Sequence, residues 1–140
     1  MKILFVCSGN TGRSPMAQFI MQKLVADAGL SDKISVSSAA SKPTNGEILH
    51  QGIASKLKFE KIPFDEHISH TITKNDCAAS DLIVCMDSGN VAQVKSIVGG
   101  DFDEKITMLL EKDIPWDKNG FKTTYDDIFR GCKALLKKIS

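Results

Sequence analysis

Apolar positions along this chain form two patterns that alternate from one end to the other. Strand-like segments lie at residues 3–6, 34–37, 81–85 and 104–109. Apolar residues at helical spacing predict helices at residues 14–29, 46–57, 90–98 and 125–139. Because strands and helices alternate, we predict an α/β fold in three layers, α/β/α, around a four-stranded, mainly parallel sheet. Ligands of such sheets bind at the carboxyl ends of the strands.

The segment between the first strand and the first helix carries the candidate chemistry. It is Cys7-Ser-Gly-Asn-Thr-Gly-Arg13, and Ser14 and Pro15 then predict a helix cap and a first helical position. Loop amides and a helix N-terminus bind oxyanions, and arginine holds two oxygens in a planar fork. The same features favour the thiolate of a nearby cysteine. A cysteine at a strand end is otherwise often a buried apolar residue, but this loop favours a phosphate site with a nucleophile.

Composition narrows the possible functions. A chain of 140 residues is the usual size of one domain, and we expect no second domain. The net charge is only +1 and the charges are interspersed, which argues against binding nucleic acid or an anionic membrane. The chain has neither an apolar run that would cross a bilayer nor a signal-peptide pattern, so we expect a cytoplasmic protein. Nothing in the sequence indicates an oligomeric state.

Cysteine and histidine spacing argues against a metal site. The four cysteines are scattered, without a C-x-x-C pair or zinc-ligand spacing: Cys7, Cys77, Cys85 and Cys132. We therefore expect reduced thiols and no metal or other cofactor. His67 and His70 lie in a polar stretch, and we expect them to be solvated.

The stretch from Val6 to Ala17 resembles the signature of the low-molecular-weight protein tyrosine phosphatases. Residues 37–40 and 81–87 resemble the ends of that family's second and third strands, and residues 125–139 its last helix. The resemblance therefore covers essentially the whole chain. It implies a single low-molecular-weight phosphatase domain over residues 1–140, with the family's flavodoxin-like fold, acting on phosphorylated proteins.

Metal-free phosphate ester hydrolysis needs a nucleophile, neutralisation of the phosphoryl oxygens and a proton for the leaving group. Cys7 would attack phosphorus and form a phosphocysteine, while Arg13 and the loop amides hold the oxygens. The residues expected around the phosphate are Ser8, Gly9, Asn10, Thr11 and Gly12. Ser14 is either a helix cap or a hydroxyl donor to the Cys7 sulfur, and the family resemblance implies the donor role. We expect Asn10 to support the loop structurally.

The proton donor is where the chain departs from the family, whose acid comes from an Asp-Pro pair before the last helix. The corresponding loop here is Lys112-Asp-Ile-Pro-Trp-Asp-Lys-Asn-Gly120, which puts Ile114 in the acid's place. We favour Asp113 as the acid, because it keeps a carboxylate before the proline, and Asp117 is the alternative. Trp116 is expected to form a partly exposed wall of the pocket.

Two loop residues bear on substrate and regulation. Many members of the family carry a second cysteine at the position of Gly12, and that cysteine can trap the oxidised nucleophile as a disulfide. Thr11 replaces a larger apolar residue of typical tyrosine-specific members and resembles the protein arginine phosphatases of the family. Its hydroxyl would hydrogen-bond a guanidinium or orient water, so phosphotyrosine and phosphoarginine both remain candidate substrates.

Two further functions remain as alternatives. An arsenate reductase of the same fold would reduce an oxyanion through a cysteine relay, with Cys77 and Cys85 as the candidate resolving thiols. A phosphopeptide-binding module with weak catalysis would explain the missing Asp-Pro pair. The intact Cys7 and Arg13 favour hydrolysis over both.

Overall fold

A computed structural model describes all 140 residues and has a parallel sheet with helices on both faces. The strands are β1 (Lys2–Cys7), β2 (Ser35–Ala40), β3 (Leu82–Cys85) and β4 (Ile106–Met108). The helices are α1 (Arg13–Asp27), α2 (Gln51–Phe59), α3 (Lys74–Ala79), α4 (Ser88–Val98) and α5 (Lys122–Ile139). The strand order is β2-β1-β3-β4, and every pairing is parallel. The predicted α/β fold is confirmed.

Strand β1 lies at the centre of the sheet and contacts a core on each face. Its side chains alternate: Ile3, Phe5 and Cys7 pack in the larger apolar cluster with α1, α2 and α5. Leu4 and Val6 pack in the smaller cluster, on the side of α3 and α4. This period of two places Cys7 on the α1 side, at the carboxyl end of β1.

Several predicted boundaries are wrong by a few residues. Helix α1 begins at Arg13 with Gly12 in the cap position and no side-chain cap, so Ser14 is not the cap. Strand β2 begins one residue later than predicted and continues to Ala40, because it pairs along the whole of β1. Strand β4 is shorter than predicted, because a 3₁₀ turn covers Asp103–Lys105.

The helix predicted at residues 46–57 begins only at Gln51, after a cap formed by the His50 side chain. Gly46 has a positive φ of 75°, which a helix does not use. Ile48 instead forms an isolated antiparallel bridge with Ile68. The apolar residues before position 51 therefore belong to a loop that runs beside the 7–13 loop.

Helix α3 was not predicted, because it is only six residues long and buries only Cys77. Its sequence signal is a capping box in which Thr73 and Asp76 satisfy each other's backbone amides. Helix α4 begins with a similar box, formed by Asp87 and Asn90. None of the helices combines the length and apolar character needed to span a membrane.

Candidate active site

The 7–13 loop surrounds a small pocket at the carboxyl end of β1. A cavity of about 260 Å³ is lined by Cys7, Ser8, Gly9, Thr11, Gly12, Arg13 and Trp116. This volume is below the usual range for drug-sized ligands and suits a single phosphorylated side chain. The structure therefore brings the predicted phosphate-loop residues together with Trp116, although Asn10 and Ser14 lie behind the pocket lining.

Cys7 is 3% exposed and its sulfur has two polar neighbours. The backbone N–H of Asn10 donates to Cys7 Sγ at 3.3 Å, and Ser14 Oγ lies 3.0 Å from Sγ. Because Ser14 Oγ accepts a hydrogen bond from Asn10 Nδ2 at 2.9 Å, its own proton is free to point at the sulfur. Two hydrogen-bond donors are therefore directed at one buried sulfur.

Asn10 is completely buried and organises the loop from behind. Its φ of 57° is left-handed, a conformation that asparagine tolerates better than most residues. Its amide donates to Ser14 and to Ser38 Oγ at 3.0 Å, and its Oδ1 accepts from the backbone N–H of His70 at 3.1 Å. These contacts agree with the expected structural role of Asn10.

His67 is only partly solvated, which departs from the sequence-based expectation. Its ring is half-buried, and Nε2 lies 2.7 Å from the backbone oxygen of Asn10. Burial lowers the pKa of His67, which keeps the ring neutral and able to donate to that carbonyl. His70, which is exposed, agrees with the expectation.

Arg13 is oriented by two acceptors on one of its nitrogens. Nη1 forms an ion pair with Asp87 at 2.8 Å and donates to the backbone oxygen of Ile114 at 2.9 Å. Nε and Nη2 have no partner within the chain, so one edge of the guanidinium remains available for two oxygens. Asp87 also caps α4 through Asn90 N at 2.8 Å. Sequence reasoning missed Asp87, although its place two residues after the end of β3 puts it beside the end of β1.

Trp116 closes one side of the pocket and is 37% exposed. Its ring lies directly over Gly12, where an added Cβ would be only 2.3 Å from the ring carbon Cζ3. The rings of Phe121 and His50 support it, with centroids 4.7 and 5.2 Å away. The absence of a side chain at Gly12 is therefore a structural requirement of this site, because any side chain there would displace Trp116. Sequence reasoning missed the supporting role of Phe121 and His50.

Neither candidate acid lines the pocket. Asp113 accepts hydrogen bonds from Ser88 N at 2.9 Å and Ser88 Oγ at 3.4 Å, at the start of α4. Asp117 accepts from the backbone N–H groups of Thr123 and Asn119, which lower the pKa of Asp117. Ile114, at the family's acid position, is 1% exposed and packs in the core.

None of the other three thiols lines the pocket around Cys7. Cys77 and Cys85 belong to the cluster on the opposite face of the sheet. Burial raises the pKa of Cys85 to about 12, and it also raises the pKa of Cys132. These three cysteines are buried structural residues of low reactivity.

A parallel sheet that holds a thiol, a loop of amides and an arginine around one small pocket defines the class of cysteine-dependent phosphatases. A family model described as "Low molecular weight phosphotyrosine protein phosphatase" matches residues 2–140. The chain belongs to this family and is a hydrolase, a low-molecular-weight protein tyrosine phosphatase.

Named relatives and solved structures agree with this assignment. The human low molecular weight phosphotyrosine protein phosphatase is 34% identical, over 97% of this chain and 94% of its own length. PtpA of Staphylococcus aureus is 36% identical, over 98% of this chain and 92% of its own length. The crystal structure of the Streptococcus pyogenes enzyme is 35% identical, with a TM-score of 0.92 over 99% of this chain and 93% of that one.

Proposed function

We propose that this protein hydrolyses phosphotyrosine in proteins through a phosphocysteine intermediate on Cys7. The observation that carries the proposal is the pair of donors on the Cys7 sulfur, at 3.0 and 3.3 Å, at the base of a pocket edged by Arg13. A sulfur nucleophile held next to a fixed cation is what attack on a phosphoryl group requires.

The reaction has two displacement steps. In the first, the thiolate of Cys7 attacks phosphorus, the S–P bond forms, and the P–O bond to the phenol breaks with its electron pair on oxygen. In the second, water attacks phosphorus, the S–P bond breaks, and the thiolate is regenerated as inorganic phosphate leaves. The free edge of Arg13 and the loop amides, Ser8 to Arg13, neutralise the phosphoryl oxygens in both steps.

We propose Asp113 as the group that protonates the leaving phenol, in preference to Asp117. Asp113 adjoins Ile114, whose backbone oxygen accepts from Arg13, so a short movement of this loop would bring the carboxyl towards the pocket. It must first give up its hydrogen bonds to Ser88. Backbone hydrogen bonds lower the pKa of Asp117, so near neutral pH this carboxyl seldom carries a proton to donate.

The pocket wall favours an aromatic substrate. Trp116 and its neighbours present an aromatic face next to the phosphate loop, and aromatic rings attract each other beyond simple burial. Thr11, which also lines the pocket, supports phosphoarginine as the second candidate. A structure described as the YwlE arginine phosphatase shares the fold, at 23% identity and a TM-score of 0.90.

The remaining alternatives have less support. Arsenate reduction through a cysteine relay needs a thiol that reaches Cys7, and Cys77 and Cys85 pack on the other face of the sheet. Binding of a phosphopeptide without turnover would not require two hydrogen-bond donors on the Cys7 sulfur. A cytoplasmic location stays a prediction from the sequence.

Phosphate release from phosphotyrosine and phosphoarginine peptides, with a chelator present, tests these assignments together. We expect the wild type to prefer phosphotyrosine and Asp113→Ala to lose on the order of a hundredfold in kcat or more. Asp117→Asn is the matched control and should lose little. A larger loss of kcat in the Asp117 variant would make Asp117 the proton donor instead of Asp113. A preference for phosphoarginine would make Thr11 the specificity residue.

A further inference from the structure

Two large apolar side chains are exposed on the two segments that hydrogen-bond to the 7–13 loop. Ile48 is 68% exposed and Ile68 is 57% exposed, and the two residues pair in an isolated antiparallel bridge. The backbone N–H of Ser69 donates to the oxygen of Glu47 at 2.8 Å, which fixes the pairing. We call this pair the isoleucine bridge. Directly opposite residues of an antiparallel pair have adjoining side chains, so the two isoleucines form one apolar surface.

Hydrogen bonds attach both segments of the isoleucine bridge to the 7–13 loop. His50, two residues after Ile48, donates its backbone N–H to the oxygen of Thr11 at 2.9 Å. His67, directly before Ile68, has Nε2 at 2.7 Å from the oxygen of Asn10. The isoleucine bridge is therefore held at a fixed place, within two residues of contacts to the loop that binds the phosphate.

His50 contacts the pocket wall close in the chain to the isoleucine bridge. Trp116 lines the pocket, and the His50 ring packs edge-on against it with a centroid distance of 5.2 Å. Ile48 follows two residues away along the chain. His50 therefore links the pocket wall to the chain segment that carries Ile48.

We propose that the isoleucine bridge binds an apolar side chain of the substrate polypeptide, two or three residues from the phosphorylated residue. The proposal rests on the proposed function, because a phosphorylated side chain over Cys7 brings its own flanking residues to the pocket rim. An extended chain advances about 3.3–3.6 Å per residue. Ile48 and Ile68 lie one or two residues from the hydrogen bonds to Thr11 and Asn10, so a residue two or three positions from the phosphorylated one can reach them.

Charge and size argue for this occupant. Glu47 and Glu66 are exposed, form no ion pair, and lie within two residues of the isoleucines, so they disfavour an acidic flank on the substrate. A second copy of the chain is a poorer fit, because a stable dimer buries about 800 Å² on each partner and two isoleucines supply only a small part of that.

The test uses paired phosphotyrosine peptides that differ only in leucine or serine at the positions two and three residues from the phosphotyrosine. Turnover is compared for the wild type, Ile48→Ser and Ile68→Ser. Ile97→Ser is the matched control, since Ile97 is 39% exposed near the end of α4 remote from Asp87. p-Nitrophenyl phosphate, which has no flanking residues, reports the basal reaction.

We expect the wild type to have at least about a fourfold higher kcat/KM for the leucine peptides, the effect of burying one or two methylene groups. Ile48→Ser and Ile68→Ser should lose this preference while p-nitrophenyl phosphate turnover stays within twofold, and Ile97→Ser should keep it. Equal turnover of both peptides by the wild type overturns the proposal. So does an equal loss on p-nitrophenyl phosphate, which would mean that the isoleucines only support the loop.

Failure of the proposed function is distinguishable from failure of this proposal. If the wild type hydrolyses neither peptide nor p-nitrophenyl phosphate, the affinities of the two peptides for Cys7→Ser, measured by calorimetry, still decide whether the leucine flank is preferred. Sedimentation of the wild type and the Ile48→Ser variant tests the other occupant. A monomer is expected, and a dimer that the substitution dissociates would contradict a substrate role.

Discussion

Replacing Gly12 with alanine tests whether Trp116 forms the wall of the substrate pocket. The added Cβ would lie 2.3 Å from Cζ3 and 2.6 Å from Cη2 of the Trp116 ring. Carbon atoms in contact are normally about 3.5–4.0 Å apart, so the ring must move by more than 1 Å. The backbone N–H of residue 12 is kept, because only a methyl group is added.

The cost follows from the contacts that the ring would lose. A displaced Trp116 loosens its packing on Phe121 and His50 and no longer faces the substrate ring. Each aromatic pair is worth about 0.5–1.5 kcal/mol beyond its buried area. Loss of the substrate contact alone should therefore reduce kcat/KM for phosphotyrosine peptides by about 2- to 13-fold. Inhibition by inorganic phosphate should change less than twofold.

A double-mutant cycle with Trp116→Ala gives the decisive comparison. Gly12→Ala should lower kcat/KM in the wild type and have almost no further effect once Trp116 is alanine, because there is then no ring to displace. An equal loss in both backgrounds would refute the reasoning and place the effect in the loop backbone. Thermal unfolding of all four proteins checks that each remains folded.

Two further predictions concern the support behind the loop. Asn10→Ala removes three hydrogen bonds and puts an unfavourable residue at φ 57°, so we expect a loss of about 3–5 kcal/mol in the free energy of unfolding by urea. Asn10→Gly should recover about 1 kcal/mol of this loss, because glycine adopts a positive φ without strain. Equal losses in Asn10→Ala and Asn10→Gly would mean that backbone strain contributes nothing. Because burial lowers the pKa of His67, the unfolded chain binds more protons than the folded one as pH falls below the ordinary value of 6.5. The stability of the wild type should fall in that range more than that of His67→Asn, and parallel pH profiles would argue against a neutral, buried His67.

The features that the sequence predicted well depend on residues that are close together in the chain. The apolar run of β1 and the spacing of Cys7, the glycines and Arg13 place a strand, a loop and a helix start within 13 residues. Chain geometry alone then brings the thiol and the guanidinium around one pocket. The predicted wall residue, Trp116, lines that pocket as well.

The features that the sequence did not predict depend on contacts between distant segments. Asp87 is 74 residues from Arg13 along the chain, and the parallel pairing of β1 with β3 brings the two together. His67 is 57 residues from Asn10, and the course of the loop between α2 and α3 brings these two together. The predicted start of the helix at residue 46 was wrong for a related reason, because Ile48 pairs with the distant Ile68 in an antiparallel bridge. An apolar pattern does not distinguish a helical face from a residue paired with another loop.

The central claim is that Cys7 carries the phosphoryl group during turnover. The most direct measurement is the intact mass of the protein after mixing with a phosphotyrosine peptide and rapid denaturation. We expect one phosphoryl adduct that maps to Cys7 in the wild type, and neither adduct formation nor turnover in Cys7→Ala, with peptide binding retained. Turnover by Cys7→Ala, or an adduct on any other residue, would contradict the account.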